Sequence, residues 1–270
     1  MRKSMRDRMK LLIQKIKNAM RYRHFIFTIV VKEFKVRYAQ SYLGMAWLVL
    51  EPLLLVLTLS YIFVLIGRIA SGGHPFPVFF YSGLLSWNYF LGSFTEGTNS
   101  FIRDAALIKK IYYPREISII KTIAVHFIDF LFANIAFIII LIVYKYTPNW
   151  NYFYLIVLLI LQTTFVYSLS LLTATISVYI KDIQILVNTI AKLWFWFTPI
   201  IFHYPFSGRT KILYFVNPMA GIISNYRVII LDNNPIYIEQ LYSIFGYIFI
   251  LTILSSLLFK RFKKGFVDVL

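Results

Sequence analysis

Six apolar runs of about 20 residues or more, at 45–66, 76–94, 117–144, 152–179, 183–202 and 238–259, constrain this chain more than any other feature of its sequence. A helix of about 20 apolar residues crosses the roughly 30 Å hydrocarbon layer of a bilayer, where every backbone polar group must be satisfied within the protein. The reading is an all-α integral membrane protein with six transmembrane helices. The second run is the weakest, because Gly83, Ser86, Asn88, Gly92 and Ser93 interrupt it. A seventh stretch, 212–231, is long enough but carries Asn217-Pro218, Asn225 and Arg227. A lone arginine at a helix centre costs about 2.5–3.5 kcal/mol on insertion scales. That stretch is therefore expected to be broken and only partly inserted between spans five and six.

The net charge of +17 raises the question of nucleic acid, and its placement answers it. With six spans and a cytoplasmic N-terminus, 12 lysines and arginines precede span one, 5 lie between Arg103 and Lys121, Lys181 follows span four, and 4 lie between Lys260 and Lys264. Only Arg68, Lys145, Arg209, Lys211 and Arg227 fall outside, and Lys192 lies within span five. This is a positive-inside pattern, so the charge is topological, no nucleic acid is expected, and both termini are placed in the cytoplasm.

The start of the chain reads as retained, since the apolar stretch 25–31 is short and runs into Lys32 and Glu33 with no small-residue cleavage site. Met5, Met9, Leu12, Ile13, Ile16 and Met20 recur at helical spacing among basic residues. Two readings stand for residues 1–23, a helix lying on an anionic membrane surface and a solvated basic tail. A second amphipathic helix is expected over 25–38, with Phe27, Val30, Val31, Phe34 and Tyr38 on one face.

No phosphate loop of the G-x-x-x-x-G-K-[ST] type, no H-E-x-x-H and no G-x-S-x-G elbow occurs, so the chain does not read as an enzyme. The four histidines are scattered, cysteine is absent, and no metal site is expected. Ionisable residues within spans are costly unless they face a cavity or a partner, which singles out Glu51, Asp129 and Lys192. Glu51 precedes Pro52, a residue that frees a carbonyl and bends a helix. It either lines a polar path or pairs with Lys192 within or between subunits. Trp47, Trp194 and Phe197 lie in spans one and five, where they either face lipid or line a passage on which sugar CH faces can stack.

Five blocks resemble the membrane subunit of ABC-2 type polysaccharide exporters: "KEFKVRYAQSYLGMAWLVLEPLLLVL" (32–57), "SGLLSWNYF" with "NSFIRDAALIKKIYYPREI" (82–117), "VYIKDIQILVNTIAKLWFWFTPIIF" (178–202), "NPMAGIISNYRVIIL" (217–231) and "KRFKKGFVDVL" (260–270). The resemblance implies a transmembrane domain over 25–270, with 1–24 as a basic extension that it does not explain. It further implies a homodimer in the bacterial cytoplasmic (inner) membrane, joined to two copies of a separate ABC ATPase that holds ATP and Mg. This chain itself carries no cofactor. The implied cargo is a polyprenyl-diphosphate-linked glycan such as O-antigen, capsular polysaccharide or wall teichoic acid.

By the same resemblance, an ATPase-coupling helix lies at about 99–113, and the coupling set is Arg103, Leu107, Lys109, Lys110, Ile111, Tyr112, Tyr113, Pro114, Arg115 and Glu116. Short re-entrant outer gate helices involve Asn217, Pro218 and Arg227. Tyr38, Trp47, Glu51, Pro52, Trp194 and Phe197 become candidates for the channel wall. Lys35 and Arg37 stand either at a diphosphate entry or against anionic lipid. Two other classes remain, an ABC-2 exporter of drugs or other lipids, disfavoured by "LGMAWLVLEP" and "YYPREI", and a polyprenyl-phosphate membrane enzyme. The latter requires clustered acidic residues, whereas Asp104, Glu116 and Asp182 are separated in sequence.

Overall fold

The structure is a computed structural model that describes residues 22–39, 41–66, 71–110 and 113–270. Most of the basic extension, together with Ile111 and Tyr112 of the expected coupling set, lies outside the described residues. The described residues are all-helical, without a strand. The chain packs as two units, Met1–Gly44 and Met45–Leu270.

In the first unit, α1 (Arg23–Tyr38) buries Val30 and Phe34, which lie four residues apart on one face. The Phe34 and Tyr38 rings approach to 5.2 Å on the same stripe. A turn closes the helix, with the Ser41 N–H donating to the Tyr38 carbonyl at 3.3 Å. Gly44 follows at φ +50°, a backbone angle that glycine adopts without a Cβ clash.

The second unit begins with α2 (Trp47–Ile66), α3 (Phe76–Arg103), the short α4 (Ala105–Lys110) and α5 (Glu116–Val143). It continues with α6 (Phe153–Ser177), α7 (Asp182–Trp196), α8 (Lys211–Val216), α9 (Pro218–Ile230), α10 (Tyr242–Phe262) and α11 (Phe266–Val269). Four segments are long and apolar enough to cross a membrane: Gly44–Phe63, Glu116–Val143, Trp150–Ser177 and Ile238–Gly265. The other two expected spans correspond to α3 and α7, which differ from the expectation in instructive ways. α7 has only 15 residues and ends ahead of Thr198-Pro199. α3 is 28 residues long, and its small and polar residues dilute its hydropathy.

That dilution reflects position, because α3 is the core helix. It buries 18 of its 28 residues against α5, α6, α7 and α9, so its side chains meet protein where a peripheral helix meets lipid. Polar residues there bond across the helix seam, as expected where apolar burial cannot distinguish protein from lipid. Ser86 Oγ donates to Gln162 Oε1 at 3.0 Å, and Gln162 Nε2 returns a bond to the Ser86 carbonyl at 2.7 Å. Hydroxyl pairs Tyr89–Thr163 (2.8 Å) and Thr98–Thr173 (2.7 Å) extend the ladder between α3 and α6. Aromatic stacking fills the remainder, with Phe90 on Phe165 at 5.8 Å and Tyr81 on Phe137 at 5.4 Å.

The stretch 212–231 is two helices, α8 and α9, broken at Asn217. The Asn217 side chain accepts the Met219 N–H at 3.0 Å as an N-cap, and Pro218 opens α9 where its missing N–H is harmless. Arg227 then projects from α9 into the protein. Its Nε donates to the Phe79 carbonyl at 3.2 Å, its Nη2 to the Ile200 carbonyl at 2.6 Å and its Nη1 to the Pro199 carbonyl, while the guanidinium lies 3.6 Å above the Phe79 ring. Gly83 makes room for it, since a Cβ there would sit 2.6 Å from Nη2. Gly221 brings α9 against the backbone before α10, where a Cβ would fall 2.0 Å from the Gln240 carbonyl oxygen.

Two consequences are measurable by denaturant unfolding of the purified chain in detergent. Arg227→Met leaves the Pro199 and Ile200 carbonyls without these donors and is expected to lower stability by about 3 kcal/mol or more. Gly221→Ala meets backbone, which cannot yield as a side-chain tip does, and is expected to cost about 1–3 kcal/mol. An unchanged unfolding midpoint for either variant contradicts the packing described.

Candidate functional site

Three sets of polar residues stand out in the second unit. The first surrounds the turn from α3 into α4. Asp104 ends α3, with its N–H donating to the Ser100 carbonyl at 3.0 Å, and its own carbonyl accepts the Leu107 and Ile108 N–H groups that start α4. The separate helix expected over about 99–113 is thus divided, because α3 runs on to Arg103 and only six residues follow as α4. Lys121 Nζ reaches both Asp104 carboxylate oxygens, at 2.8 and 2.9 Å, and this pair is almost fully buried. Arg103 spans two helices, bonding Glu96 at 3.2 Å and Thr122 Oγ1 at 2.7 Å.

Of the expected coupling residues, Lys109 and Lys110 are exposed at the end of α4, and Leu107 is half-buried. Tyr113 is buried, with its hydroxyl 2.9 Å from Ser118 Oγ. Burial pushes the Tyr113 pKa up, the Ser118 hydrogen bond opposes this, and the nearby Asp104 and Arg115 charges act in opposite directions. Pro114 opens the turn into α5, its carbonyl accepting the Ile117 N–H at 3.0 Å. Glu116 occupies the first turn of α5, where a carboxylate suits the helix dipole. The Arg115 guanidinium lies 5.3 Å from the centre of the Phe266 ring. Phe266 is fully buried between Phe101 (5.1 Å) and Phe259 (6.0 Å), so α11 packs beside this loop.

The second set lines a cleft of about 500 Å³ between α2, α3 and α5. Trp47, Glu51 and Pro52 line it from α2, Asn88, Tyr89 and Thr95 from α3, and His126, Asp129 and Phe130 from α5. His126 lies between two carboxylates, with Nδ1 3.4 Å from Asp129 Oδ2 and Nε2 3.3 Å from Glu96 Oε2. Its ring passes directly over Gly92, where a Cβ would sit 2.6 Å away. Flat rings combined with carboxylates and an amide suit CH faces and hydroxyls, whereas Glu51 and Asp129 oppose a phosphate.

The other expected wall residues lie elsewhere. Trp194 Nε1 donates to Asn217 Oδ1 at 2.9 Å, and its ring stands edge-on to Phe90 at 5.2 Å. Phe197 is exposed, and its carbonyl accepts Asn217 Nδ2 at 3.0 Å. Lys35, Arg37 and Tyr38 belong to the first unit, where Lys35 is exposed and the other two are half-buried.

The third set gathers around Arg227. His74 bridges Tyr146 Oη through Nδ1 and Asp232 Oδ1 through Nε2, both at 2.9 Å. His203 lies beside Gly72 and helps line a cavity of about 60 Å³ that also touches Arg227 and Asp232. Burial holds the His203 pKa down, the Arg227 and His74 charges add to this, and Asp232 opposes it. Among the described residues, no group of three or more histidines and acids is arranged to hold a metal ion.

Sequence reading singled out Asp129 but missed its neighbours His126 and Glu96 and the buried Asp104–Lys121 pair. The available signal was a lysine and a histidine inside the apolar run that begins at 117, at 121 and 126, with acids at 96 and 104 just beyond the preceding run.

The chain is similar to known transport proteins along almost its whole length. The O-antigen export system permease protein RfbA of Klebsiella pneumoniae is 30% identical over 256 residues, covering 91% of this chain and 96% of that protein. The protein of the same name from Myxococcus xanthus is 25% identical over 262 residues, covering 95% of this chain and 99% of its own. Residues 24–231 match the family described as ABC-2 type transporter. The chain belongs to the ABC-2 type transporter family.

Proposed function

We propose that this chain is the transmembrane subunit of an ATP-driven exporter that moves a polyprenyl-diphosphate-linked polysaccharide across the bacterial cytoplasmic membrane. The observation that carries the reading is the end-to-end similarity to permeases of O-antigen export. O-antigen is the cargo those relatives' names favour over capsule or teichoic acid. Six spans are assigned, α2, α3, α5, α6, α7 and α10, with α3 and α7 crossing while sheltered by the more apolar helices. α8 and α9 enter from the outer face without crossing, and both chain termini are cytoplasmic, as the charge distribution supports.

In this reading two copies of the chain join two copies of a separate ATPase, which holds ATP and Mg. The exposed Lys109 and Lys110, with Arg115 behind them, form the face of α4 that receives the ATPase. Displacement of α4 passes through Asp104 to Lys121, and through Arg103 to Thr122 and Glu96. From Glu96 it reaches His126 and Asp129 on the cleft that also holds Trp47 and Glu51. The buried Asp104–Lys121 pair suits this role because it has definite partners and resists gradual deformation. Tyr38, Pro52, Trp194 and Phe197 remain assigned to the path, and Lys35 and Arg37 to the diphosphate or to anionic headgroups.

Depleting the chain in its native host is expected to accumulate lipid-linked glycan on the cytoplasmic side, detected by mass spectrometry of extracted lipids. Unchanged lipid-linked glycan overturns the reading. Replacing Lys109, Lys110 and Arg115 by Glu is expected to leave the chain inserted but lower export about fivefold or more relative to ATP hydrolysis. Full export in that variant reduces the loop to an orientation signal. Asp104→Asn with Lys121→Met is expected to have the same uncoupling effect without touching the exposed face.

A further inference from the structure

Two charges lie on otherwise apolar, exposed helix faces. Glu51 on α2 and Lys192 on α7 are both exposed, and among the described residues neither has an ion-pair or hydrogen-bond partner. An ionised side chain facing lipid is disfavoured unless a partner or water meets it. His126, which lines the cleft that Glu51 borders, already faces Glu96 and Asp129. Glu51 therefore adds a carboxylate where acid is already in excess.

The faces that carry these charges are regular. On α2, Trp47, Glu51, Leu54, Thr58 and Tyr61 follow one another at spacings of four and three and are all exposed. On α7, Ile185, Thr189, Lys192 and Trp196 do the same. Residues at these spacings share one side of a helix and form the seam by which two helices pack. α7 buries only Val187 and Ala191 within the chain, and α2 buries Val56. Each seam combines large apolar side chains with hydroxyls and one charge, and the charges are opposite.

We propose that Glu51 of one subunit pairs with Lys192 of a second copy of this chain, joining the α2 seam to the α7 seam across the dimer. The inference rests on the homodimer reading given above. In that topology both helices run from the cytoplasm outward. At 1.5 Å per residue, Glu51 lies about 10 Å beyond Gly44 and Lys192 about 15 Å beyond Asp182, a difference that a lysine stem spans. Twofold symmetry makes the contact twice, and Trp47, on the same stripe as Glu51, brings the cleft that both line to the edge of the interface.

The natural absence of cysteine makes the test clean. Two differently tagged full-length chains, one Glu51→Cys and the other Lys192→Cys, are co-expressed in membranes and oxidised or treated with a short bismaleimide. A crosslinked species carrying both tags is expected, with far less from two Glu51→Cys chains. Glu51→Lys and Lys192→Glu alone are each expected to lower export at least about fivefold, and the double exchange to regain most of it. Co-purification of two tagged natural chains reports the dimer independently of this pair. Co-purification without the mixed crosslink or the rescue overturns the Glu51–Lys192 contact and leaves the dimer standing. Failure to co-purify overturns the homodimer reading, and the contact with it.

Discussion

Arg227 sits with its guanidinium 3.6 Å from the centre of the Phe79 ring and donates to the carbonyls of Phe79, Pro199 and Ile200. Those contacts gather α3, the turn after α7, and α9 around one buried cation. A free charge at this depth would be unfavourable. Here the cost is offset because guanidinium offers five donors in a plane, matching carbonyls left unpaired where α7 ends and the chain bends. The bend leaves acceptors, the arginine fills them, and Gly83 supplies the space. Asn217 repeats the device on a smaller scale, accepting from Trp194 and Met219 while donating to Phe197 and Thr198.

The same economy governs α3. A helix that touches lipid gains nothing from polar side chains, whereas a helix surrounded by protein gains hydrogen bonds that lipid cannot replace. Its serines, threonines and glycines allow close approach to α6, and its Glu96 and Arg103 reach His126 and Thr122 of α5. The least apolar of the long helices is therefore the most central. Charge is concentrated at the end where α3 turns into α4, with Lys109 and Lys110 exposed and Asp104 paired inward with the buried Lys121.

The local arrangement of some candidate residues was legible in sequence, and the rest was not for identifiable reasons. Trp47, Glu51 and Pro52 share one helix and remain together on the cleft. The break at Asn217-Pro218 follows from the preferences of an N-cap asparagine and a first-turn proline, both local. Trp194 and Trp47 look equivalent as sequence, each a ring near a proline. Only packing separates them, one bonded to Asn217 and set edge-on to Phe90 and Phe165, the other open on the cleft. Lys121 reads as one more positive loop charge until Asp104 is seen to enclose it.

By itself the sequence determined that the chain is helical and membrane-embedded, that the stretch 212–231 breaks at Asn217-Pro218, and which residues share a helix face. Those properties depend on composition, on residues within about one turn of one another, and on the 3.6-residue period. Tertiary structure decided which faces meet: that α3 is enclosed, that Arg227 finds Phe79 across 148 residues and Ile200 across 27, and that His126 stands between Glu96 and Asp129. A helical period specifies a stripe without naming the stripe that packs against it. In a membrane, where apolar surface is satisfied equally by lipid and by protein, close packing and complementary hydrogen bonds make that choice.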